Sequence, residues 1–280
     1  MNLNEITRRL VPHTETPGLD ARVILSHILQ KPQSWLLAHP EAEPTPAQAA
    51  ALEAALRRLE NGEPLPYVLG HWEFYGLDFY VTPDVLIPRP ETELLIESVL
   101  AWVEKRSQPG AGIRCVDLCT GSGCIPITLA SLLPNAEFVA TDISPAALAI
   151  ARLNAEKHGV GNRIQFVEAD LFPESLSAFD LVTANPPYIP TEKLKGLAVY
   201  GREPTLALDG GTDGMDIIRR LLGLSKRWLA AGGALRVEIE SGQGKVALET
   251  AKGHFPDAKI KIDKDLAGLD RLLIIDTNLL

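Results

Sequence analysis

The sequence Asn185-Pro186-Pro187-Tyr188 directly follows the apolar run Phe179 to Ala184, and its residue types suit the binding of a planar amino group. An apolar run rich in Leu and Val is typical of a buried parallel strand. Because proline has no backbone N–H, the turn offers carbonyl oxygens and the Asn185 amide oxygen as acceptors. Tyr188 adds an aromatic face. We therefore predict that this strand end holds a planar group carrying an NH2, either an amide or the exocyclic amine of a base.

A second group of residues, Cys119-Thr120-Gly121-Ser122-Gly123, forms a glycine-containing turn after the predicted strand Ile113 to Asp117. A turn of this kind could hold a nucleoside triphosphate, a dinucleotide or S-adenosylmethionine. The lysine of a phosphate-binding loop is missing, and the glycine spacing departs from that of a dinucleotide site. These two departures favour a ligand without phosphate groups.

Acidic residues end the next two predicted strands. Asp142 could accept hydrogen bonds from both hydroxyls of a ribose. Asp170 could face the amine of an adenine, with Leu171 or Phe172 against the ring. A single ligand that reaches all of these strand ends is predicted to be an adenosine with a reactive tail near Asn185.

The elements that position these residues alternate between strand and helix from Ile113 onward, after a predicted break in the secondary structure at Gln108 to Gly110. The predicted strands include Glu137 to Asp142, Ile164 to Glu168 and Gly233 to Glu240. This alternation predicts an α/β fold with a doubly wound, mostly parallel sheet and ligands at the carboxyl ends of its strands. Near the end, Lys259 to Ile262 and Arg271 to Asp276 are predicted to close the sheet as an antiparallel pair. The long polar loop Pro190 to Asp216 is predicted to carry function or mobility.

Residues 1–60 show helical spacing interrupted by prolines, which predicts a small all-α domain. Residues 61–90 change to Gly, Pro and aromatic residues and are predicted to form a linker with a short β-hairpin. Residues 91–280 form the predicted catalytic domain. Before residue 80 there are six Lys or Arg against ten Asp or Glu, so a protein-contacting role is more plausible than nucleic acid binding.

The composition places further bounds on function. The 280 residues carry a net charge of −9, which argues against direct nucleic acid binding. No apolar run is long enough to span a bilayer, so we expect a cytoplasmic protein with no membrane partner. Cys115, Cys119 and Cys124 fit neither a disulfide framework nor a zinc site, and no metal is expected.

Taken together, these motifs resemble those of class I S-adenosylmethionine-dependent methyltransferases that modify amino groups. The segments that carry this resemblance are Asp117 to Gly123, Asp142, Ala169 to Phe172 and Asn185 to Tyr188. Further segments are similar to the HemK/PrmC family: Pro66 to Gly70, Val85 to Glu93, Arg202 to Pro204, Asp209 to Asp216 and Asp265 to Arg271. One departure is Cys119, which stands where most such loops have their first glycine. If that position requires a positive φ, cysteine hinders it.

The resemblance implies methyl transfer to the side-chain amide of the glutamine in the Gly-Gly-Gln motif of peptide chain release factors, which the N-terminal domain helps to dock. It implies S-adenosylmethionine as cofactor, bound by Cys119, Thr120, Gly121, Ser122, Gly123, Asp142, Asp170, Leu171, Phe172 and Asn185. Asn185, Pro186 and Tyr188 are the predicted catalytic residues, and these with Pro187, Arg89 and Glu91 are predicted to bind substrate. We expect the Asn185 oxygen and the Pro186 carbonyl to accept the two amide hydrogens.

Three other functions remain open at the level of sequence. A DNA or RNA base methyltransferase would use the same turn for an exocyclic amine. A sister enzyme would methylate a glutamine of a ribosomal protein, and a cofactor-binding regulator would bind without turnover. Arg89 and Glu91 could instead form a clamp that joins the domains. A monomer is expected.

Overall fold

The computed structural model describes residues 1–105, 112–173 and 178–277. The chain divides into two units, Met1–His71 and Trp72–Leu280. The predicted break at Gln108 to Gly110 lies outside the described residues. The first unit extends past residue 60, where the sequence prediction placed the end of the helical domain.

The first unit consists of short helices around one apolar core. They are α1 (Leu3–Leu10), α2 (Pro17–Leu29), α3 (Gln33–Ala38), α4 (Pro46–Glu60) and α5 (Leu65–Leu69). Buried aliphatic side chains from α1 to α4 form the core, among them Ile6, Ile24 and Leu56. Helix α5 lies within the predicted linker. The prolines of that segment favoured a linker, so its single helical turn was not predicted.

Local capping explains where two of these helices begin. Asn2 accepts a hydrogen bond from the Glu5 backbone N–H at 3.1 Å, and the Glu5 carboxylate accepts from the Asn2 N–H at 3.0 Å. Thr45 and Gln48 form the same reciprocal pair at the start of α4. Such capping boxes satisfy backbone donors that a helix leaves unpaired at its first turn.

The second unit contains a two-stranded sheet and a seven-stranded sheet. The small sheet is β1 (His71–Phe74) and β2 (Leu77–Tyr80), at the position of the predicted hairpin. The chain continues through α6 (Glu93–Glu104), β3 (Arg114–Leu118), α7 (Cys124–Leu132), β4 (Glu137–Asp142), α8 (Pro145–Lys157), β5 (Ile164–Glu168) and β6 (Phe179–Ala184). It ends with α9 (Thr191–Leu194), α10 (Asp216–Trp228), β7 (Leu229–Glu238), α11 (Gly244–His254), β8 (Lys259–Lys264) and β9 (Asp270–Asp276).

The large sheet has the order β5-β4-β3-β6-β7-β9-β8. Strands β3 to β7 run parallel, whereas β9 pairs antiparallel with both β7 and β8. Successive residues of β3 enter different apolar clusters, Cys115 with α6 to α8 and Val116 with α10 and α11. The sheet is therefore covered on both faces, and the predicted doubly wound α/β fold with an antiparallel end is confirmed.

The chain order reverses between β3 and β6. From β3 it proceeds outward through β4 and β5, and it then returns to add β6 on the other side. In open α/β sheets, ligands bind at the carboxyl ends of the strands beside such a reversal. Both the glycine-containing turn after β3 and the Asn185 turn after β6 lie at this point.

Candidate active site

A cavity of about 360 Å³ lies at the carboxyl ends of the strands. Eight of the predicted cofactor residues line it: Cys119, Thr120, Gly121, Ser122, Asp142, Asp170, Leu171 and Asn185. The cavity is also lined by the segment 83–89 and by residues Pro204, Leu206 and Ala207 of the long loop. The loop after Tyr188 therefore contributes residues to the cavity lining. The sequence prediction had named no site residue in this loop.

Asp142 ties the end of β4 to the glycine-containing turn. Its two carboxylate oxygens accept hydrogen bonds from the backbone N–H groups of Gly121 and Ser144, each at 2.9 Å. Burial raises the pKa of Asp142, and these two N–H groups oppose the rise. Each carboxylate oxygen has a second lone pair. Asp142 can thus hold the turn and still accept from a ribose.

Cys119 occupies a left-handed backbone conformation, with φ at +57°. This is the conformation in which the sequence predicted that cysteine would be a hindrance. A non-glycine residue at positive φ carries about 1 kcal/mol or more of strain. The turn nevertheless keeps its shape, since Thr120 N–H donates to the Thr141 carbonyl at 2.9 Å.

Two predicted cofactor residues do not line the cavity. The Phe172 ring is buried and stacks on Trp228, with 6.0 Å between centroids and 9° between planes. Gly123 caps α7 at φ +80°, and a Cβ there would lie 2.8 Å from Ile127 Cδ1. Both residues therefore contribute to the packing around the site and not to its lining. Asp170 does line the cavity, and it forms an ion pair with Arg220 at 2.6 Å.

A second cavity of about 190 Å³ adjoins the first. The residues that line both are Leu86, Arg89, Asn185 and Ala207. Tyr188 lines only the second cavity and Pro187 only the first, whereas Pro186 is buried and lines neither. The Asn185 side chain thus stands between a cofactor-sized cavity and a smaller neighbour.

A hydrogen-bonded chain runs behind Asn185. Its Nδ2 donates to Thr92 Oγ1 at 3.2 Å, and Thr92 donates to Glu238 Oε2 at 2.7 Å. Tyr188 donates its hydroxyl to the other oxygen, Glu238 Oε1, at 2.9 Å. Burial raises the pKa of both Glu238 and Tyr188. Among the described residues, none donates to Asn185 Oδ1, which leaves that oxygen available to a ligand.

Arg89 and Glu91 have different surroundings. Arg89 lines both cavities and forms an ion pair with Glu203, whose carboxylate also accepts from the Ile87 backbone N–H at 3.2 Å. Glu91 is exposed and lines neither cavity. Arg89 and Glu203 therefore join the segment 83–89 to the long loop, and Arg89 alone of the predicted pair is placed to meet a substrate.

The loop 209–214 packs against the backbone of the Asn185 turn. Gln243 Nε2 donates to the carbonyls of Tyr188 and Gly214, at 2.8 and 3.1 Å. Gly214 has φ +76°, and a Cβ added there would lie 2.2 Å from the Tyr188 carbonyl oxygen. The close approach requires glycine, so this loop fixes the path of the turn.

Sequence reasoning placed Thr92 at the start of a helix but assigned no part in the site to Thr92, Glu203 or Glu238. For Glu238 a signal existed, because an acid in the apolar strand Leu229–Glu238 must be paired when buried. Its two partners, Thr92 and Tyr188, are 146 and 50 residues away in the chain. No local pattern could have identified them.

Asp117, at the cavity end of β3, makes the unfolding free energy depend on pH. Burial raises the pKa of Asp117 to about 7, although Thr183 donates to its carboxylate at 2.7 Å. Between the ordinary pKa and the raised one, the folded protein holds a proton that the unfolded chain releases. Stability from this group is therefore lost as pH rises, by about 1.4 kcal/mol per unit from about pH 5 to pH 7.

This effect can be measured by urea denaturation across that range for wild type and Asp117→Asn. We expect the difference in stability between them to shift in favour of the variant as pH rises. Glu249→Gln, at an exposed position, serves as the control. A wild-type pH dependence identical to that of Asp117→Asn would contradict the assignment.

The residues of the larger cavity fit an adenosine cofactor without phosphates. Its volume lies in the range of small-molecule sites, roughly 300 to 1,000 Å³. Gly121, at φ +54°, has open space where a Cβ would stand, so a ligand can approach its backbone closely. Within the described part of the chain, the cations of the wall, Arg89 and Arg220, are already paired with acids. The donor set therefore suits a ribose and an amine better than a phosphate.

Two family models match the chain, the PrmC N-terminal domain over residues 2–70 and the methyltransferase small domain over residues 92–199. A solved 16S rRNA methyltransferase from T. thermophilus, in complex with AdoMet and guanosine, shares the fold with a TM-score of 0.52. It is 16% identical, and the match covers 74% of this chain and 50% of that one.

The fold and the strand-end cavity define a class I methyltransferase that uses S-adenosylmethionine. The chain is 43% identical to a release factor glutamine methyltransferase of Moorella thermoacetica, over 97% of this chain and 96% of the relative, and 40% identical to one of Geobacter sulfurreducens, over 92% and 89%. It belongs to the release factor glutamine methyltransferase family.

Two searches of the described residues were negative. None of their helices is long and apolar enough to cross a membrane. They also contain no group of three or more His, Cys, Asp or Glu side chains that could hold a metal ion.

Proposed function

We propose that this protein transfers a methyl group from S-adenosylmethionine to the side-chain amide nitrogen of the glutamine in the Gly-Gly-Gln motif of peptide chain release factors. One observation carries the proposal: Asn185 stands between a cofactor-sized cavity and a second cavity, with its Oδ1 available to an amide N–H. The similarity to release factor glutamine methyltransferases over nearly the whole chain supports the choice of substrate.

The proposed chemistry depends mainly on placement. The bound cofactor supplies an electrophilic methyl group. An amide nitrogen is a poor nucleophile because its lone pair is delocalised into the carbonyl, so the protein must orient that lone pair. Asn185 Oδ1 accepts one of the two N–H groups, while the Tyr188 ring, which lines the second cavity, packs on the amide plane. Pro186 lines neither cavity, so its carbonyl is not part of the proposed contact. Orientation of this kind contributes about 7 to 11 kcal/mol, more than individual hydrogen bonds.

The proton need not leave before the methyl group arrives. Once the nitrogen has four substituents it is cationic, and one of its protons is then released easily. The site accordingly requires no strong general base. The Tyr188 phenol, whose pKa burial raises, remains protonated and keeps its hydrogen bond to Glu238 during this step.

Arg89 is proposed to contact the substrate from the wall that the two cavities share. The helical unit, residues 1–71, is proposed to dock the release factor. Its charge supports a protein partner, because acidic residues outnumber basic ones before residue 80. We further propose a cytoplasmic monomer that does not bind nucleic acid directly. Light scattering tests the monomer, and a gel shift at physiological salt tests the absence of nucleic acid binding.

Mass spectrometry of a release factor after incubation with this protein and S-adenosylmethionine tests the function directly. We expect a mass gain of one methyl group, confined to the Gly-Gly-Gln peptide and absent when that glutamine is alanine. Methylation of a ribosomal protein or of nucleic acid, with none on the release factor, would replace the proposed substrate.

A further inference from the structure

We propose that Glu238, acting through Thr92, determines which atom of the Asn185 amide faces the methyl acceptor. Glu238 and Thr92 are positioning residues in this account. Glu238 lines neither cavity, and Thr92, which does line the larger one, acts on the methyl acceptor through Asn185. The inference rests on the proposed function, in which Asn185 Oδ1 accepts a hydrogen bond from the substrate.

The argument begins with the direction of each hydrogen bond. Burial raises the pKa of Glu238, but the hydroxyls of Thr92 and Tyr188 donate to its two oxygens and favour the ionised form. An ionised carboxylate can only accept, so the Thr92 hydroxyl gives its one hydrogen to Glu238 Oε2, at 2.7 Å. Thr92 Oγ1 can then only accept from its other neighbour, 3.2 Å away on Asn185. That neighbour must therefore be the NH2 group, and Oδ1 turns to the opposite side.

The opposite amide orientation would break this chain. Asn185 Oδ1 would then face Thr92 Oγ1 with no hydrogen between the two oxygens, because the hydroxyl hydrogen is held by Glu238. The Asn185 NH2 would also meet the NH2 of the acceptor, so two donors would oppose each other. A buried hydrogen-bond donor or acceptor left without a partner loses its hydration and gains nothing in return, and this penalty is enough to fix the orientation.

The Glu238 carboxylate also positions Tyr188, which lines the second cavity. Tyr188 donates to Glu238 Oε1 at 2.9 Å, which holds its ring along the second cavity. Glu238 ends β7, and Asn185 directly follows β6, whose residue Ala184 pairs with Val237 in the sheet. Both groups are thus mounted on adjacent buried strands, and such a frame holds a site more tightly than loops do.

A comparison of Thr92→Val with Thr92→Ser separates the effect of the hydroxyl from the effect of the shape of the side chain. Valine keeps the volume and removes the hydrogen-bonding oxygen, whereas serine keeps the oxygen. We expect Thr92→Val to lower kcat on a release factor about tenfold to a hundredfold, as loss of an outer hydrogen-bonding partner does at other sites. We expect Thr92→Ser to recover most of that loss. Because Thr92 also lines the larger cavity, kcat is compared at saturating S-adenosylmethionine, where any change in cofactor affinity no longer contributes.

Glu238→Gln tests the direction of the hydrogen bonds that join Glu238, Thr92 and Asn185. Its carboxamide can donate to Thr92 as well as accept from it, so the Thr92 hydroxyl becomes free to turn toward Asn185 and both amide orientations become possible. We expect kcat to fall while cofactor binding by calorimetry is retained. A Thr92→Val or Glu238→Gln enzyme with wild-type kcat would overturn the inference, as would a Thr92→Ser enzyme as slow as Thr92→Val.

A second measurement does not depend on the substrate. In ¹H–¹⁵N spectra, the side-chain NH2 signals of Asn185, assigned by their loss in Asn185→Asp, report the bond to Thr92. We expect a downfield hydrogen-bonded proton in wild type and Thr92→Ser that shifts upfield in Thr92→Val. If wild type fails to methylate a release factor but shows this pattern, the substrate proposal fails and the positioning chain stands. Identical amide shifts in all three proteins would overturn the positioning chain itself.

Discussion

Replacing Asn185 by alanine is expected to lower kcat about a hundredfold to a thousandfold, the size of loss seen when a preorganised hydrogen-bonding group is removed from a reacting centre. The variant loses the Oδ1 acceptor that orients the substrate amide, and its Nδ2 bond to Thr92 is lost as well. Steady-state methylation of a release factor peptide, together with calorimetric titration of S-adenosylmethionine, measures both effects. The Kd for the cofactor should change little, because the rest of the larger cavity is intact.

Two further variants separate chemistry from structure in that experiment. Asn185→Asp keeps an acceptor oxygen and loses the donor to Thr92, so its kcat should lie between those of wild type and Asn185→Ala. Asn162→Ala, at an exposed position away from both cavities, should behave as wild type. An alanine enzyme that binds the cofactor and turns over at a near-normal rate would remove Asn185 from the mechanism.

Gly214→Ala is expected to lower the stability of the second unit by several kcal/mol, from two separate causes. Its left-handed backbone alone costs alanine about 1 to 2 kcal/mol. The new Cβ would also lie 2.2 Å from the Tyr188 carbonyl oxygen and 2.6 Å from Gln243 Nε2. Overpacking of this kind adds about 1 to 3 kcal/mol. Because Tyr188 must move to relieve the contact, activity should fall together with the melting temperature.

Gly201→Ala provides a matched control for that variant. Gly201 has almost the same backbone angle, φ +72°, but nothing lies within 4 Å of the position of its Cβ. Gly201→Ala should lose only the stability that the left-handed backbone conformation costs an alanine, and its kcat should stay at the wild-type value. Equal losses in melting temperature and in activity for both variants would contradict the role of close packing at Tyr188.

The fold could be predicted from the sequence because its central strands are buried on both faces and its breaks are marked by glycine and proline. Strands such as Glu137–Asp142 and Ile164–Glu168 have the predicted bounds. The predictions are less accurate where the local sequence does not reflect how deeply its residues are buried. Strand β7 starts at Leu229, four residues before its predicted start at Gly233. Its first residues, Leu-Ala-Ala-Gly, are only partly buried and resemble the end of a helix followed by a glycine turn. Helix α5 lies between prolines that suggested a linker.

The candidate site could be predicted where its residues occupy strand ends and could not where they act across the fold. Asp142 and Asn185 follow strands directly, and the structure brings both to one cavity. Phe172 follows a strand too, yet its ring turns away to Trp228, a choice made by tertiary packing. Thr92 and Glu238 were missed because their pairing is defined only once α6 and β7 are assembled.

The wall that the two cavities share has a consequence for inhibitor design. A compound that imitates only the adenosine half would compete for a cavity whose fold recurs in other methyltransferases. Joining an adenosine to a glutamine-like amide across Asn185 would make the second contact intramolecular, with an effective concentration in the millimolar range for a short linker. Selectivity would then come from the smaller cavity, whose mostly aliphatic lining includes Ile189, Leu197 and Val199.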